Sequence, residues 1–564
     1  MLAAEPRTGV TTALSHILVL GGYGGFGGRI ARRLAAAGHD VLVAGRNLAK
    51  AQAFCMDQSG LTPIAIDRAA IAAALSEHRP ALLVDASGPF QRLDHTVPAA
   101  CIAAGVHYVD IADAREFVCG IAELDAAAKV AGVTVISGAS SVPALSGAAV
   151  RQLAAGMEDV RAVEMAISAS NRATAGPAVA EAILAQLGQP FKLWRSRRWT
   201  QRRGWQELRR EHFAVAGEAS LGHRLVALVD VPDHGLLPQR LPGRPAVTFR
   251  AGTELGFQTF ALWIASWLVR WKLISSLAPL AGLLRPLQRL TGWMGSDRSA
   301  MIVRLFGMTE GQRVERRWTL IASQGDGPEI PALSVPPLVA RILAGLEPTG
   351  ARNAGLSLDL VDYQPQFDGL AIRHGVTEHI LPPPLYRRVM GARFDRLPPA
   401  VRAMHEALRD GGAHGIAEVT GPTNILAATI AYIVGFPRAG THDLHVAFEE
   451  NDGTETWTRS FSGKRFHSRL SQKGQWLVES FGVFRFGFDL PSDEHGLTMV
   501  MRRWWIGPFR LPLALAPRSR AREWEEDGRF HFDVPIALPF LGRIVHYRGQ
   551  LHGDGGNQTS AAHV

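Results

Sequence analysis

Cysteine is scarce in this chain, with three in 564 residues. Cys55, Cys101 and Cys119 show no C-x-x-C spacing and sit inside patterned segments. That excludes a disulfide framework and a zinc site, and it suits a reducing cytoplasm. Met1 to Ser15 lacks a basic start followed by a long apolar core, so no secretory leader is expected. Residues 1–14 read as a loose tail, and the polar, glycine-rich residues 554–564 as a second one. The uninterrupted apolar run before Arg270 falls short of the ~18 residues of a spanning helix. Histidine clusters with metal-ligand spacing are missing too: His442 and His445 are three apart but fall at a strand start, where solvated histidines are the ordinary case.

What is present describes a globular protein. Hydrophobic residues make up 47% and charged residues 20%. The length calls for two or three domains. The net charge of +9 comes largely from arginine. It permits an acidic partner, either a phosphorylated cofactor or an anionic membrane surface, and demands neither.

The most informative stretch is Ile17-Leu18-Val19-Leu20-Gly21-Gly22-Tyr23-Gly24-Gly25-Phe26-Gly27-Gly28, followed by helical spacing at Ile30, Leu34 and Ala37. Gly22, Gly24 and Gly27 fit the G-x-G-x-x-G frame. The first glycine allows the tight turn, the second lets the backbone approach a pyrophosphate, and the third lets helix and strand pack closely. The phosphates would rest on the N–H groups at the helix start, with Tyr23, Gly25 and Phe26 beside them.

Alternating strands and helices continue to Ser137, which means a parallel sheet covered on both faces, an α/β Rossmann-type fold. The second strand ends at Gly45-Arg46-Asn47 with Lys50 one turn on. An acidic residue there would bond the ribose 2′-hydroxyl of NAD, whereas an arginine accommodates the 2′-phosphate of NADP. Arg46 and Asn47 therefore favour NADP, with NAD as the second choice. Asp67 ends the third strand near the adenine edge, and Ser87-Gly88-Pro89 follows the fourth. Tyr108, Asp110, Asp113 and Glu116 follow at or beyond the fifth, and Ser140 follows the sixth. Hydride transfer needs a proton donor or acceptor at this crevice. Asp113 is the first candidate and Tyr108 the second. The competing role for Asp113 is a helix N-cap before Arg115. No Tyr-x-x-x-Lys pair follows the strand-end serines, so the short-chain dehydrogenase mechanism is unsupported.

Taken together, the glycine stretch, Ala86-Ser87-Gly88-Pro89-Phe90-Gln91, Cys101 to Asp110, and Gly138-Ala139-Ser140-Ser141-Val142-Pro143-Ala144-Leu145-Ser146 resemble the saccharopine dehydrogenase-like reductases. The resemblance is close over 15–150 and looser over the next two hundred residues. It implies an NAD(P)-dependent oxidoreductase whose second, α+β domain closes over the nicotinamide and whose chain returns to the first domain. Saccharopine as substrate is not implied.

That second domain is expected over 151–375, with strand-like Val160 to Ser168, helical Gly176 to Leu187, helical Pro337 to Leu346 and strand-like Leu356 to Val361. Trp194 to Trp205 is dense in arginine and tryptophan. Contact with anionic headgroups and an ordinary hairpin are equally open readings, and no nucleic-acid signature accompanies the stretch. In the segment 255–284, Phe257, Phe260, Ile264, Trp267, Leu268 and Trp271 share a helical face, flanked by Arg270, Lys272, Arg285 and Arg289. Three readings stand: a helix in a membrane interface, a buried pair lining an apolar substrate cleft, and plain core. The first two point to a hydrophobic, lipid-like substrate and a chain that is cytoplasmic or peripheral on the inner membrane face. A homodimer through this domain is a further expectation.

Residues 376–385, with Leu381-Pro382-Pro383-Pro384-Leu385, read as a linker. Residues 386–553 read as a β-rich domain: helices over Tyr386 to Leu408 and Asn424 to Val434, then strands around the hairpin signal Asn451-Asp452-Gly453. The apolar face of those strands suits a curved sheet with one wet side, either plain core or the wall of a lipid site. This region resembles an uncharacterised bacterial domain appended to such reductases. Two functions survive: a reductase or dehydrogenase of a hydrophobic carbonyl or imine, and a non-catalytic nucleotide- and lipid-binding scaffold.

Overall fold

The computed structural model describes residues 16–172, 177–280, 282 and 290–553. The expected tails, Gly176, Leu284, Arg285 and Arg289 lie outside the described residues.

The N-terminal sheet has seven strands. β1 (Ile17–Leu20), β2 (Val41–Gly45), β3 (Leu61–Ala65), β4 (Leu82–Asp85), β5 (His107–Asp110) and β6 (Thr134–Ser137) come in chain order, and Gly350–Asn353 joins β6 as the seventh. From one edge the order is Gly350–Asn353, β6, β5, β4, β1, β2, β3, with every pair parallel. β1, β4 and β6 are buried throughout because helices cover both faces. Helix α1 (Gly25–Ala36) carries Ile30, Ala31 and Leu34 into the core. Its approach leaves no room at Gly27, where a Cβ would sit 2.2 Å from the Gly21 carbonyl oxygen. The seventh strand places the return of the chain earlier than the expected strand at Leu356 to Val361. Short 3-10 turns, Ala354–Leu356 and Leu360–Tyr363, occupy that stretch instead.

The second sheet is mixed. Its strands run in the order Arg209–Phe213, Gly222–Leu228, Ala246–Thr253, Asp159–Ala169, Ser299–Thr309, Gln312–Ala322 and Ile372–Ile380. The last of these corrects the linker: residues 376–380 belong to an edge strand paired with Gln312–Ala322, and only Leu381 to Pro384 is free of regular structure. An edge strand has one face wet, so Val376 and Ile380 are exposed and gave no core-like pattern.

Pro190–Arg195 and Arg198–Arg203 form a hairpin, in which Arg195 and Arg202 are committed to carboxylates and Arg197 and Arg203 to backbone carbonyls. Arg195 pairs with Glu207 (2.9 Å) and Glu449 (3.3 Å), and Arg202 with Glu207 (2.9 Å). Trp194 and Trp205 are buried. The stretch thus forms the hairpin of the second reading and adds an interdomain contact. The hairpin turn presses on the C-terminal domain, where Ser196 N–H donates to Asp410 Oδ2 (2.8 Å) and a Cβ on Gly412 would lie 2.1 Å from the Ser196 carbonyl oxygen. His445 Nε2, 2.9 Å from the same carbonyl, belongs to this contact.

Helix Gly256–Arg270 is turned opposite to a core helix. Its buried residues are Thr259, Ser266 and Val269, whereas Phe257, Phe260, Ile264, Leu268 and the adjoining Trp271 are exposed. That corrects the core and buried-cleft readings. Among the described residues no helix is long and apolar enough to cross a membrane.

The C-terminal domain is the expected β-rich, curved antiparallel sheet, and it goes further by closing on itself. Its strands run antiparallel, and Phe484–Asp489 also pairs with Gly496–Ile506, so ten strands close into a barrel. Phe509–Leu511 hangs on the last of these as an extra hairpin. Asn451-Asp452-Gly453 makes the expected tight turn, with Asp452 and Gly453 both at positive φ. Closure removes every edge within the ring, which an open sheet would have to protect.

Glu164 ties the two C-terminal units together. Its carboxylate takes a bidentate pair from Arg409 (2.6 and 2.8 Å) and a further bond from Arg209 (2.9 Å). Burial alone would push this carboxyl up, but Arg409, Arg209 and Arg304 hold it well below the usual range. Glu164→Ala strands the buried Arg409 guanidinium. The expected loss is about 3–5 kcal/mol in chemical denaturation, with new protease cleavage at Leu381 to Pro384. An unchanged denaturation midpoint contradicts this role.

Candidate functional site

The C-terminal ends of the parallel strands gather almost every residue singled out above. At the centre, Gly21 at φ +77° leads from β1 into the glycine turn. No side chain caps α1, whose N-cap is Gly24, so the first-turn N–H groups have no side-chain acceptor. The turn is pinned by Gly21 N–H and Gly22 N–H to the Ala44 carbonyl (2.8 and 3.0 Å) and by Gly24 N–H to the Gly21 carbonyl (2.9 Å). Gly24 and Gly25 are exposed, and Phe26 packs against the core. This is a shaped cradle with open main-chain donors, the chemistry of a phosphate site.

At the end of β2, Tyr23 packs over Gly45, where a Cβ would meet its ring at 2.4 Å. Its hydroxyl accepts from Asn47 N–H (3.0 Å). Asn47 Oδ1 accepts from Lys50 N–H (3.0 Å) as the N-cap of the helix Leu48–Cys55. Arg46 is exposed and makes no hydrogen bond or ion pair among the described residues. Asp67 likewise caps its own turn, accepting from Ala69 N–H (2.9 Å). The sequence reading passed over its neighbour. Arg68 Nη1 donates to Asp85 Oδ2 (2.6 Å) and Ser87 Oγ (2.7 Å), while Nη2 is buried without a partner. A cation directly after the strand-ending Asp67 was the available signal.

Ser87 is drawn inward by Asp85, which accepts from both its N–H (2.9 Å) and its Oγ (2.6 Å). This fixes the loop through Gly88 and Pro89, whose peptide is cis. Farther along, Gln91 Nε2 donates to Asp113 Oδ1 (3.0 Å) and joins the loops after β4 and β5. Asp113 is exposed to solvent, and the surrounding protein pushes its carboxyl above the ordinary range, against the Gln91 bond. It does not cap the following helix, whose N-cap is Ala114 with no side-chain bond.

Tyr108 is a correction. It is fully buried, and its hydroxyl faces Asp85 Oδ2 at 3.5 Å, so it touches no substrate. Burial holds the phenol far above its usual range. Asp110 is buried too, its Oδ1 accepting from Ala112 N–H, Gly138 N–H and Ser137 Oγ (2.8–3.0 Å). It ties the end of β5 to the end of β6. Ser140 is likewise buried. Glu116 is exposed.

The second domain closes on this edge through groups that carried no sequence signal. Arg115 pairs with Asp230 (3.1 Å), and Asp230 lies 3.3 Å from His234 Nδ1. His234 Nε2 accepts from Phe249 N–H (3.1 Å), and burial lowers its pKa, so the ring is neutral and held by both nitrogens. Ser146 Oγ donates to Asp233 (2.7 Å) across the same boundary.

The open amides, the free Arg46 and the unpaired Arg68 Nη2 fit a dinucleotide bearing an extra phosphate. Comparison with known families agrees. Residues 17–136 match the model described as the saccharopine dehydrogenase NADP binding domain, and residues 397–551 match a domain of unknown function, DUF4166. The chain thus carries a saccharopine dehydrogenase-like NADP-binding domain and a separate DUF4166 domain. No curated protein matches. Among solved structures, saccharopine dehydrogenase (L-Glu forming) from Saccharomyces cerevisiae is 14% identical, with a TM-score of 0.44 over 64% of this chain and 100% of that one. Amine dehydrogenase from Mycobacterium smegmatis is 14% identical, with a TM-score of 0.33 over 61% and 96%. GenD2 from gentamicin A biosynthesis, solved with NAD, is 16% identical, with a TM-score of 0.24 over 44% and 68%.

Asp110 gives a pH prediction. Burial raises its carboxyl to about 7, whereas an unfolded aspartate titrates at about 3.9. Between those values the unfolded chain sheds a proton that the folded chain keeps, so stability falls as pH rises through the window and stays low above it. Asp110→Asn keeps the Oδ1 acceptor and removes this titration. Thermal melts should show the variant gaining on wild type between pH 4.5 and 7.5. Parallel pH profiles contradict the assignment.

Proposed function

We propose that this protein is an NADP(H)-dependent oxidoreductase that transfers hydride to or from a carbonyl or imine of a hydrophobic, lipid-like substrate. The observation that carries the reading is the Gln91–Asp113 pair, which sets a carboxyl of raised pKa at the strand edge that holds the glycine cradle. When bound, the nicotinamide supplies or accepts the hydride. The protein's own share is to hold the phosphates on the first-turn amides of α1, to meet the extra phosphate with Arg46 and Arg68, and to move a proton at the Asp113 carboxyl. Gln91 orients that carboxyl, and the raised pKa brings it nearer to the range suited to acid–base work at neutral pH.

The preference for NADP rests on charge. No carboxylate directly follows β2 in the chain, where Arg46 makes no ion pair among the described residues, and Arg68, after β3, keeps Nη2 without a partner. The hydrophobic substrate draws support from the exposed aromatic face of Gly256–Arg270. That face also favours a second reading, a non-catalytic nucleotide- and lipid-binding scaffold at a membrane surface. Turnover separates the two.

NADPH oxidation screened against lipid extracts, with oxidised NADP for the reverse direction, is expected to find a substrate. Asp113→Asn should then lower kcat by about 10²-fold and leave the Kd for NADPH unchanged. Arg46→Glu should weaken NADPH by at least about tenfold, the cost of a lost charge-assisted contact, with little effect on NADH. Retained NADP preference in that variant removes Arg46 from its role, and full activity of Asp113→Asn removes Asp113.

A further inference from the structure

The C-terminal barrel encloses a cavity of about 330 Å³, within the ~300–1,000 Å³ span of small-molecule sites. Its wall is aromatic and aliphatic, with Phe486, Phe488, Trp504, Val534 and Ile536 among the lining side chains. The charged groups that line it are paired: Arg459 lies 3.6 Å from Glu479, and Glu523 meets His405 Nε2 at 2.7 Å. The interior thus suits an apolar chain and offers no unmatched cation to an anionic head.

The two ends of the barrel differ. One is plugged by the helices Leu385–Met390 and Pro399–Met404, where buried Tyr386 stacks on buried His405 at 3.7 Å. The other is crossed by the helix Ile425–Val434, anchored where Asn424 Nδ2 donates to the Leu541 carbonyl (2.7 Å). Ile430 and Val434 of this helix line the cavity, while Ile425, Leu426, Tyr432 and Ile433 point to solvent. The turns around it add Val483, Phe509, Leu513, Leu515 and Phe540, the last 99% exposed.

Charge follows the same division. The rim segments 421–440, 462–465, 481–485, 506–520 and 537–543 contain no Asp or Glu. They present Arg438, Lys464, Arg465, Arg510, Arg518 and Arg520 at the surface. The turns at the plugged end carry Asp452, Asp493, Glu494, Glu526 and Asp527. An exposed apolar ring among cations, with the nearest carboxylates set back on the strands (Asp443, and Glu418 paired with Arg548) and with an apolar cavity opening at its centre, is complementary to anionic headgroups over hydrocarbon.

We propose that the barrel docks by this rim on an anionic phospholipid bilayer and draws one lipid chain into its interior, leaving the headgroup at the cationic rim. The continuous apolar path from rim to cavity is what a bilayer uses and a flat protein partner does not. The inference is independent of whether the nucleotide domain turns over.

The test uses the full chain with vesicles of phosphatidylcholine, alone or mixed with phosphatidylglycerol. Flotation is expected with the anionic vesicles only, weakening as salt screens the attraction. Ile433→Ser with Phe540→Ser should cut binding at least tenfold, as should Arg438→Glu with Arg518→Glu. Phe257→Ser with Trp271→Ser removes the face that the scaffold reading would place on the membrane, and the rim proposal expects flotation without it. Chain uptake is read with phosphatidylglycerol carrying a parinaroyl chain, whose fluorescence should rise on transfer from vesicles to protein. Ala521→Phe, in the cavity wall, should abolish the rise while flotation persists, and circular dichroism confirms that each variant folds. Equal binding to neutral vesicles, rim variants that float like wild type, or loss of flotation only in the Phe257/Trp271 variant overturns the proposal. So does concentration-dependent self-association lost in the rim variants without any vesicle binding, which would make the rim an interface between copies.

Discussion

The distance between α1 and the end of β1 sets the rest of this structure. With a hydrogen at Gly27 the helix packs directly on the Gly21 carbonyl, and with a methyl it cannot, since 2.2 Å is well inside van der Waals contact. That approach aims the helix start at the sheet's C-terminal edge, where its unpaired amides concentrate positive potential. The surrounding loops are then fitted to it: Ala86 and Ser87 lie against Gly21, Asp85 pulls Ser87 inward, and Arg68 reaches over to Asp85. One steric allowance thereby positions a phosphate cradle, two cations and the loop that leads to Asp113.

Charge is divided in a way that net charge conceals. Much of the arginine is consumed in ion pairs, some joining the second and C-terminal domains, as Arg409 with Glu164 and Arg195 with Glu449, and others within the second domain, as Arg209 with Glu164 and Arg304 with Glu315. Such pairs are costly to break once buried and contribute mainly to the relative placement of the elements. The proposed recognition chemistry falls to arginines left over. Arg46 and the second nitrogen of Arg68 stand at the nucleotide edge, and a cationic ring stands at the open end of the barrel.

The nucleotide domain was legible because its signals are local. A strand, a glycine turn and a helix must follow one another in sequence, and the Asn451-Asp452-Gly453 turn is equally short-range. What was missed turns mostly on direction or distant pairing. Gly350–Asn353 has no apolar alternation, and it becomes a strand because β6 offers it an open edge. Barrel closure depends on Phe484–Asp489 meeting Gly496–Ile506, a register that no periodicity encodes. Tyr108 sits beside a strand end in sequence but faces the core, since alternate residues of a strand point to opposite faces. Asn47 and Asp67 stand where a ligand role would put them, and one oxygen of each also caps a local turn. Amphipathicity found the apolar face of Gly256–Arg270 but not its direction, because a helical stripe looks the same whether it meets a core or a solvent boundary.

The central claim is that the cradle at residues 22–28, with Arg46 and Arg68 beside it, binds a phosphorylated dinucleotide. Isothermal titration of the purified full chain with NADPH, and separately with NADH, tests it most directly. Saturable binding at one site per chain, with NADPH the tighter ligand, is the predicted result. A folded protein that gives no binding heat with either dinucleotide across several temperatures contradicts it.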